Sequence, residues 1–256
     1  INNSMNNQNN NLNILNDLLI SAKNNGADAC DAVFINSTSL AVTQRLGNLE
    51  QMERSESMDI GIRVLIGKRQ AIVSSSDISS DALLTLAEKA VAMAREVPED
   101  PHCGLAEPEQ LASDFLDVDS ADPNEPTAET LIEWASRAEN AARAVDGVTN
   151  SEGAEAGWGY ATISVTATNG FSQTYSSSHY SLSASVLAGN STSMERDYDY
   201  TGAVYAEDLR NPEDVGRTAG ENSVQRLNPR KIDTKQVPIL FDSRVARSLV
   251  SHFAGS

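Results

Sequence analysis

The chain has 256 residues, of which 40% are hydrophobic and 21% are charged, and its formal net charge at pH 7 is −17. This composition is typical of a folded globular protein and excludes a disordered chain of low hydrophobicity. The negative charge argues against direct nucleic-acid binding, because affinity for DNA comes largely from Lys and Arg side chains that displace counterions from the phosphates.

The sequence contains no apolar run close to the ~20 residues that cross a bilayer, and no basic-then-apolar signal segment opens it. Its two cysteines, Cys30 and Cys103, are too few for a disulfide framework. We therefore expect a protein of the reducing cytoplasm that does not contact a membrane.

The first part of the chain, residues 17–97, predicts an α+β domain that contains a hairpin and a helix. It follows a segment, 1–16, whose Asn-rich composition predicts a disordered or expression-derived tail. Apolar residues at helical spacing begin near the end of this tail and predict a first helix. They are Leu12, Leu15, Leu19 and Ala22. Alternation in "MDIGIRVLIGKRQAIVSSS" predicts a hairpin that turns at Gly67. The segment "SSDALLTLAEKAVAMAREV" predicts an amphipathic helix that Ser80 caps and Pro98 ends.

A Pro-rich and acidic connector, residues 98–126, separates this domain from the rest. It holds five of the chain's eight prolines together with many carboxylates. Such a composition disfavours both helix and sheet, and it predicts a segment that lies over the surface. We interpret its carboxylates as solvated surface groups and the connector as the domain boundary.

Residues 127–232 predict a second α+β domain. A helix starts at Thr127, and alternating strands follow, with a hairpin turn at Asn169-Gly170. Another helix starts at Asn211, which precedes a proline at the first helical position.

The last segment, residues 233–256, predicts the start of a C-terminal domain that is truncated in this sequence. The apolar run "VPILF" predicts a buried strand, and a helix follows Asp242. The order of elements predicts the α+β fold class, with an N-terminal α/β hairpin-and-helix domain followed by a mainly antiparallel sheet domain with flanking helices.

Few residues in the sequence are spaced for catalysis. A zinc site needs three or four convergent ligands, usually two from one local motif, and the three histidines are far apart. We expect surface positions for the adjacent His102 and Cys103 in the connector and for His179 at a strand start. The stretch from Gly61 to Lys68 differs from a phosphate-binding loop in its glycine spacing and its hairpin context. The serine-rich segments contain no G-x-S-x-G pattern.

The stretch "MERDYDY" places Arg196 between carboxylates and tyrosines on a segment that alternates like a strand. One hypothesis is that Arg196 faces a peptide substrate while the other face of the strand packs on the core. The alternative, favoured by the residues alone, is a cross-strand ion pair within the sheet. Arg196 is the candidate substrate-binding residue.

Three blocks of the chain, taken together and in order, resemble one family. They are "RLGNLEQMERSESMDIGIRVLIGKRQAIVSSSDIS", "MERDYDY" and "NPRKIDTKQVPILFDSRVARSLVSHFAGS". These blocks resemble the TldD/PmbA proteins, a metallopeptidase family also named modulators of DNA gyrase, and in particular its PmbA branch, also called TldE. The resemblance extends from about residue 28 to residue 256, and such proteins are normally much longer.

The resemblance also implies what the last helix has lost. The catalytic TldD branch carries a helical H-E-x-x-x-H motif where this chain has "RSLVSH". Arg247 then stands at the first ligand position, Ser248 at that of the general-base glutamate, and His252 alone is retained. One imidazole cannot hold a catalytic zinc ion, and without the carboxylate no group takes the proton from a metal-bound water. The resemblance therefore implies no metal bound by this chain and zinc in a TldD-like partner.

Three hypotheses about function follow. The first is a non-catalytic, PmbA/TldE-like subunit of a heteromeric zinc metallopeptidase complex that processes or degrades small unfolded peptides. Its partners would be a TldD-like catalytic subunit and the peptide, or a second copy of the chain when it is alone. The second is an autonomous metallopeptidase with ligands in the missing C-terminal region. The third is an acidic gyrase-binding regulator that mimics DNA on a basic partner surface.

Overall fold

The computed structural model describes residues 2–256, with side chains described from Asn10 onwards. The helices in this range are α1 (Asn2–Asn24), α2 (Ser80–Glu96), α3 (Ala128–Arg143), α4 (Pro212–Gln225) and α5 (Ser243–Ala254). The strands are β1 (Ala29–Arg45), β2 (Asn48–Ile66), β3 (Arg69–Ser75), β4 (Val148–Ala167), β5 (Ser172–Ala188) and β6 (Glu195–Ala203).

The six strands form one sheet in the order β3-β2-β1-β4-β5-β6, and every neighbouring pair is antiparallel. Leu46 and Gly47 join β1 to β2 with left-handed φ angles of 50° and 79°, which suit a two-residue hairpin turn. The turn predicted at Asn169-Gly170 joins β4 to β5, and Gly170 has a φ of 97°. The hairpin predicted to turn at Gly67 is likewise present between β2 and β3.

Two hydrophobic cores lie between the helices and one face of the sheet. Helices α1 and α2 cover the first core, which includes Phe34 and Ile62, and helices α3 and α4 cover the second, which includes Leu131 and Tyr180. Strand β1 contributes to both cores, because its alternate residues point to the helices along most of its length. The predicted α+β fold class is confirmed, and strands from both predicted domains share this one sheet.

The capping residues explain where the later helices begin. The hydroxyl of Thr127 accepts a hydrogen bond from the backbone N–H of Thr130 at 3.2 Å, and Asn211 caps α4 through its side-chain oxygen. At the start of α2 the cap position belongs to Ser79 instead of Ser80, and its side chain makes no capping bond.

Two local predictions were wrong. Within the segment 1–16, residues from Asn2 onwards are helical, and Leu15 is fully buried in the first core. The Asn-rich composition is a weak helix signal, but the leucine stripe docks this helix on the sheet and on α2. Residues 237–241, predicted as a buried strand, are irregular and exposed, since no described strand pairs with them. Ile1 lies outside the described residues.

The connector 98–126 crosses the surface and is attached to the sheet near its end. The single hydroxyl proton of Tyr180 is shared in a bifurcated hydrogen bond between the Asp122 carboxylate, at 3.1 Å, and the carbonyl of Asn124. These bonds place the beginning of α3 against the second core. Among the described helices, none is long and apolar enough to cross a membrane.

Candidate functional site

Helix α5 carries the three positions that the resemblance singles out. Asp242 caps this helix and accepts a hydrogen bond from the N–H of Arg244 at 2.9 Å. The side chains of Arg247, Ser248 and His252 are all exposed. The Ser248 hydroxyl donates to a carbonyl one turn earlier in the same helix, at 2.6 Å. The three motif positions are therefore solvent-exposed on α5.

The groups around α5 do not fit a metal ion. Arg247 lines an open cleft of about 430 Å³ together with Arg210, Arg244 and Asp199. Three guanidinium groups repel a cation, and the carboxylate of Asp199 is already bound by Arg210 at 2.7 Å. No set of three His, Cys, Asp or Glu side chains within residues 10–256 could hold a metal. Helix α5 supplies a single imidazole, which alone cannot hold a catalytic zinc ion.

Helix α5 is attached to the edge strand β6 through Arg244. Its Nη1 atom donates to Asp197 Oδ1 at 2.9 Å and to the backbone carbonyl of Tyr198 at 3.0 Å. The guanidinium also lies over the Tyr198 ring, 5.5 Å from its centroid. Because α5 buries none of its own residues, these contacts are the main attachment visible between α5 and the sheet.

Two further arginines complete the group that we call the arginine clamp, formed by Arg210, Arg226 and Arg244 with Asp197 and Asp199. The alternation of β6 turns both aspartates towards the helix side, where they are buried. Arg226, at the end of α4, lies 3.4 Å from the second oxygen of Asp197. Burial of a carboxylate is costly unless it is paired, and the clamp supplies that pairing.

The electrostatics of the clamp follow from this geometry. Burial by itself would raise the pKa of Asp197, but hydrogen bonds from Arg244 and the Tyr198 N–H outweigh it, so the pKa lies below its ordinary value. The hydrogen bond to Asp197 raises the pKa of Arg244 above its ordinary value. Asp197 is therefore ionised near neutral pH, and arginine side chains lie at both of its carboxylate oxygens.

Arg196 lies on the opposite, outer face of β6, beside Tyr198 and Tyr200, whose rings stack with centroids 6.3 Å apart. Its Nε donates to Glu152 of β4, which also accepts from the Ser185 hydroxyl of β5 at 2.8 Å. The hydrogen bond from Arg196 is the main reason that the pKa of Glu152 lies below its ordinary value. The cross-strand ion pair considered in the sequence analysis is present, and 56% of the Arg196 side chain stays exposed.

The other two histidines lie on different segments, His102 next to Cys103 in the connector and His179 on β5. His102 is exposed in a turn of the connector, whereas Cys103 is buried beside Lys68, which donates to its carbonyl at 3.4 Å. The expected surface position was therefore wrong for Cys103, because the connector folds back on the β2–β3 hairpin. His179 is exposed on β5, over Gly202 of β6, as a surface hairpin residue.

Sequence reasoning missed the arginine clamp. Its signal was the pair of aspartates at alternate positions in "RDYDYT", because a strand that buries one face places both carboxylates inside. Such carboxylates need cationic partners, but the sequence does not show which arginines reach them.

Comparisons with known proteins give the family. Residues 30–94 match the model of PmbA/TldA metallopeptidase domain 1, and residues 121–227 match that of the PmbA/TldA metallopeptidase central domain. The metalloprotease PmbA of Escherichia coli O157:H7 is 35% identical over 239 residues, which cover 93% of this chain and 52% of that protein. A metalloprotease PmbA homolog of Haemophilus influenzae is 34% identical over 218 residues, covering 85% and 48%.

Solved structures share the fold. A proposed modulator of DNA gyrase from Bacteroides thetaiotaomicron superposes with a TM-score of 0.79 at 19% identity, over 86% of this chain and 51% of that one. TldE from Thermococcus kodakarensis gives a TM-score of 0.69 at 16% identity, over 83% and 47%. The chain spans about half the length of the curated relatives it matches. From the two domain models and the PmbA relatives, the chain belongs to the PmbA/TldD metallopeptidase family.

Proposed function

We propose that this chain is part of a PmbA/TldE-like subunit that has no catalytic centre of its own. It would support a TldD-type zinc peptidase subunit that cleaves small unfolded peptides in the cytoplasm. The observation that carries the proposal is the donor set of α5, which contains one imidazole and no carboxylate. Arg247 and Ser248 occupy the positions at which the resemblance implies a ligand and a general base. A partner with an intact motif would supply the zinc chemistry that the family name implies.

The arginine clamp supports a structural role for α5 in this chain. Arg244 joins α5 to β6, and Arg247 adds a further cation to the same cleft. Because the buried carboxylate of Asp197 holds Arg244, α5 presents a surface of fixed position. On that surface Arg247 places a cation where the resemblance implies a metal ligand. We propose that this surface contributes to the contact with the catalytic subunit.

Arg196 is the proposed contact to a peptide on the outer face of β6. Its charge is partly balanced by Glu152, so its contribution to binding would be a hydrogen bond more than a long-range attraction. Replacing it by alanine should weaken peptide capture by the complex, whereas Arg196→Lys, which keeps the charge, should weaken it less. Equal affinity for all three proteins, measured by fluorescence anisotropy, would remove Arg196 from the proposal.

Hydrolysis of an unstructured peptide tests the proposed function. The rate is measured for this protein alone, for a TldD-type subunit with an intact motif alone, and for the two together. We expect full activity only in the mixture, with a chelator abolishing it. Activity of this protein alone would contradict the proposal.

The PmbA relatives are themselves named metalloproteases, which favours a second candidate, an autonomous metallopeptidase with ligands in the C-terminal region beyond these residues. That candidate predicts chelator-sensitive hydrolysis by this protein alone and a loss of rate in His252→Ala. The absence of both results, in a preparation that supports activity of the mixture, would exclude it.

A further inference from the structure

Strand β5 has an open edge over its first half. It pairs with β4 from Ser172 to Ala188, but β6 covers its other side only from Tyr180 onwards. Backbone groups of alternate residues point to that uncovered side. The N–H of Ser178 and the carbonyl of Ser176 both do so, since both are hydrogen-bonded to Ser120. By the same alternation, the backbone N–H and carbonyl of Thr174 also point to the uncovered side.

The connector lies along this open edge and is attached on both sides of a gap. Ser120 bonds to Ser176 at 2.6 Å and to Ser178 at 3.0 Å, which closes the edge at one end. At the other end the ring of Phe115 packs edge-on against Phe171, with centroids 5.9 Å apart. Between these two attachments a cavity is lined by both the connector and β5.

The space between them, which we call the linker slot, has a volume of about 780 Å³. Its walls are connector residues 114–121 and β5 residues 173–176. This volume lies within the ~300–1,000 Å³ typical of ligand sites. The β5 wall is four residues long, so an added strand would pair with it over about that length.

The walls of the linker slot are acidic and partly apolar. They include Asp114, Asp117 and Asp119 but no Lys, Arg or His. Asp119 is bound by the Tyr205 hydroxyl, whereas Asp114 makes no ion pair with any residue from 10 to 256. The ring of Tyr175 is about half exposed at the same site.

We infer that the linker slot binds an extended peptide segment that carries Lys or Arg side chains. The backbone of the segment would pair with the open edge at Thr174, and its cationic side chains would reach the carboxylates of Asp114 and Asp117. This inference does not depend on the proposed function, because binding at the slot requires neither a catalytic partner nor cleavage.

The test is fluorescence anisotropy of this protein with a labelled octapeptide of alternating valine and lysine. A matched peptide of alternating valine and glutamate controls for charge, and a Val-Lys peptide N-methylated on alternate amides controls for backbone pairing. We expect saturable binding of the first peptide only. Equal binding of the N-methylated peptide would overturn the inference, since it would show attraction to the acidic surface in general.

Variants locate the site. In Asp114→Asn/Asp117→Asn the affinity for the Val-Lys peptide should fall by about threefold to tenfold. The control Glu88→Gln/Glu96→Gln removes two exposed charges on α2, away from the slot, and should leave the affinity unchanged. Equal losses in both double variants would refute the slot as the site.

Thr174→Pro removes one edge donor while keeping the ladder to β4, whose bonds belong to the odd-numbered residues of β5. It should abolish peptide binding with the circular dichroism spectrum preserved. If a second copy of the chain occupied the slot instead, this variant would change the sedimentation coefficient and not the peptide affinity, which would overturn the inference.

Discussion

Removal of Arg244 should release α5 from the sheet without unfolding the domain. The variant Arg244→Met keeps much of the aliphatic length but loses the hydrogen bonds to Asp197 and to the Tyr198 carbonyl. Asp197 is 6% exposed as a side chain and would keep only Arg226, at 3.4 Å, as a cationic partner.

The magnitude follows from the geometry. A hydrogen bond to a charged, buried group contributes about 1.5–3 kcal/mol. The lower end applies here, because Arg244 is 30% exposed and Arg226 remains near the carboxylate. A change of about 1.4 kcal/mol corresponds to a tenfold change in an opening equilibrium. Since α5 buries no residue of its own, we expect this loss to appear as local opening of α5.

Hydrogen exchange measures this opening directly. Amides of α5 should exchange about tenfold faster in Arg244→Met, whereas amides of β4 and β5 should be unaffected. Arg196→Met, on the outer face of the same strand, is the matched control and should leave α5 exchange unchanged. A double-mutant cycle with Asp197→Asn should give a coupling of about 1–2 kcal/mol. No coupling, or an equal effect of the control, would refute the clamp as the attachment of α5.

Three other predictions concern stability. Glu139 is fully buried and accepts two backbone N–H groups of the β1–β2 turn, at 2.6 and 3.0 Å, so Glu139→Ala should lower the unfolding free energy in urea by about 2–4 kcal/mol, and Glu139→Gln by less. A Cβ at Gly216 would lie 1.9 Å from the Ala138 carbonyl oxygen, so Gly216→Ala should cost about 1–3 kcal/mol or more, while Gly104→Ala, with open space, should change little. The pKa of Asp197 in the folded state lies below its ordinary value of 3.8, so the ionised carboxylate stabilises the fold. This contribution is complete above pH 3.8 and is lost as the pH falls through the lower folded-state pKa. The loss of unfolding free energy on acidification should therefore be smaller in Asp197→Asn. An unchanged urea midpoint in the first two variants, or an unchanged acid profile in the third, would contradict these assignments.

Local patterns in the sequence predicted the elements whose signals are contained within a few residues. Alternation and the pair Asn169-Gly170 predicted hairpins, because a tight turn needs a residue that readily adopts positive φ, as Gly170 does. The helices α3 and α4 were predicted at their caps, Thr127 and Asn211, for the same local reason.

Long-range pairing could not be predicted in this way. Strand β1 pairs with β4, so that Phe34 lies opposite Ser164, 130 residues further along the chain. Neither strand carries a local signal for the other, and this pairing is what joins the two predicted domains in one sheet. The order of strands depends on which apolar faces can be covered together, and the periodicity of one segment does not contain that information.

The roles assigned to the motif positions of the candidate site remain predictions from the resemblance. The positions of Arg247, Ser248 and His252 on a helix came from the resemblance, and the structure places them on α5. The clamp was not predicted, because Arg210, Arg226 and Arg244 come from three separate segments and exposed arginines are common. Glu139 could have been found, since it falls on the apolar stripe of α3, where a charged residue requires partners.

We propose that catalysis belongs to a TldD-type partner subunit and not to this chain. The most direct test compares peptide hydrolysis by two variant complexes, one with His252→Ala in this protein and one with the glutamate of the partner's H-E-x-x-x-H motif changed to glutamine. We predict that the first keeps the rate within about twofold and that the second loses about 10²-fold or more. A large loss of rate in the His252→Ala complex, with assembly intact, would contradict the account.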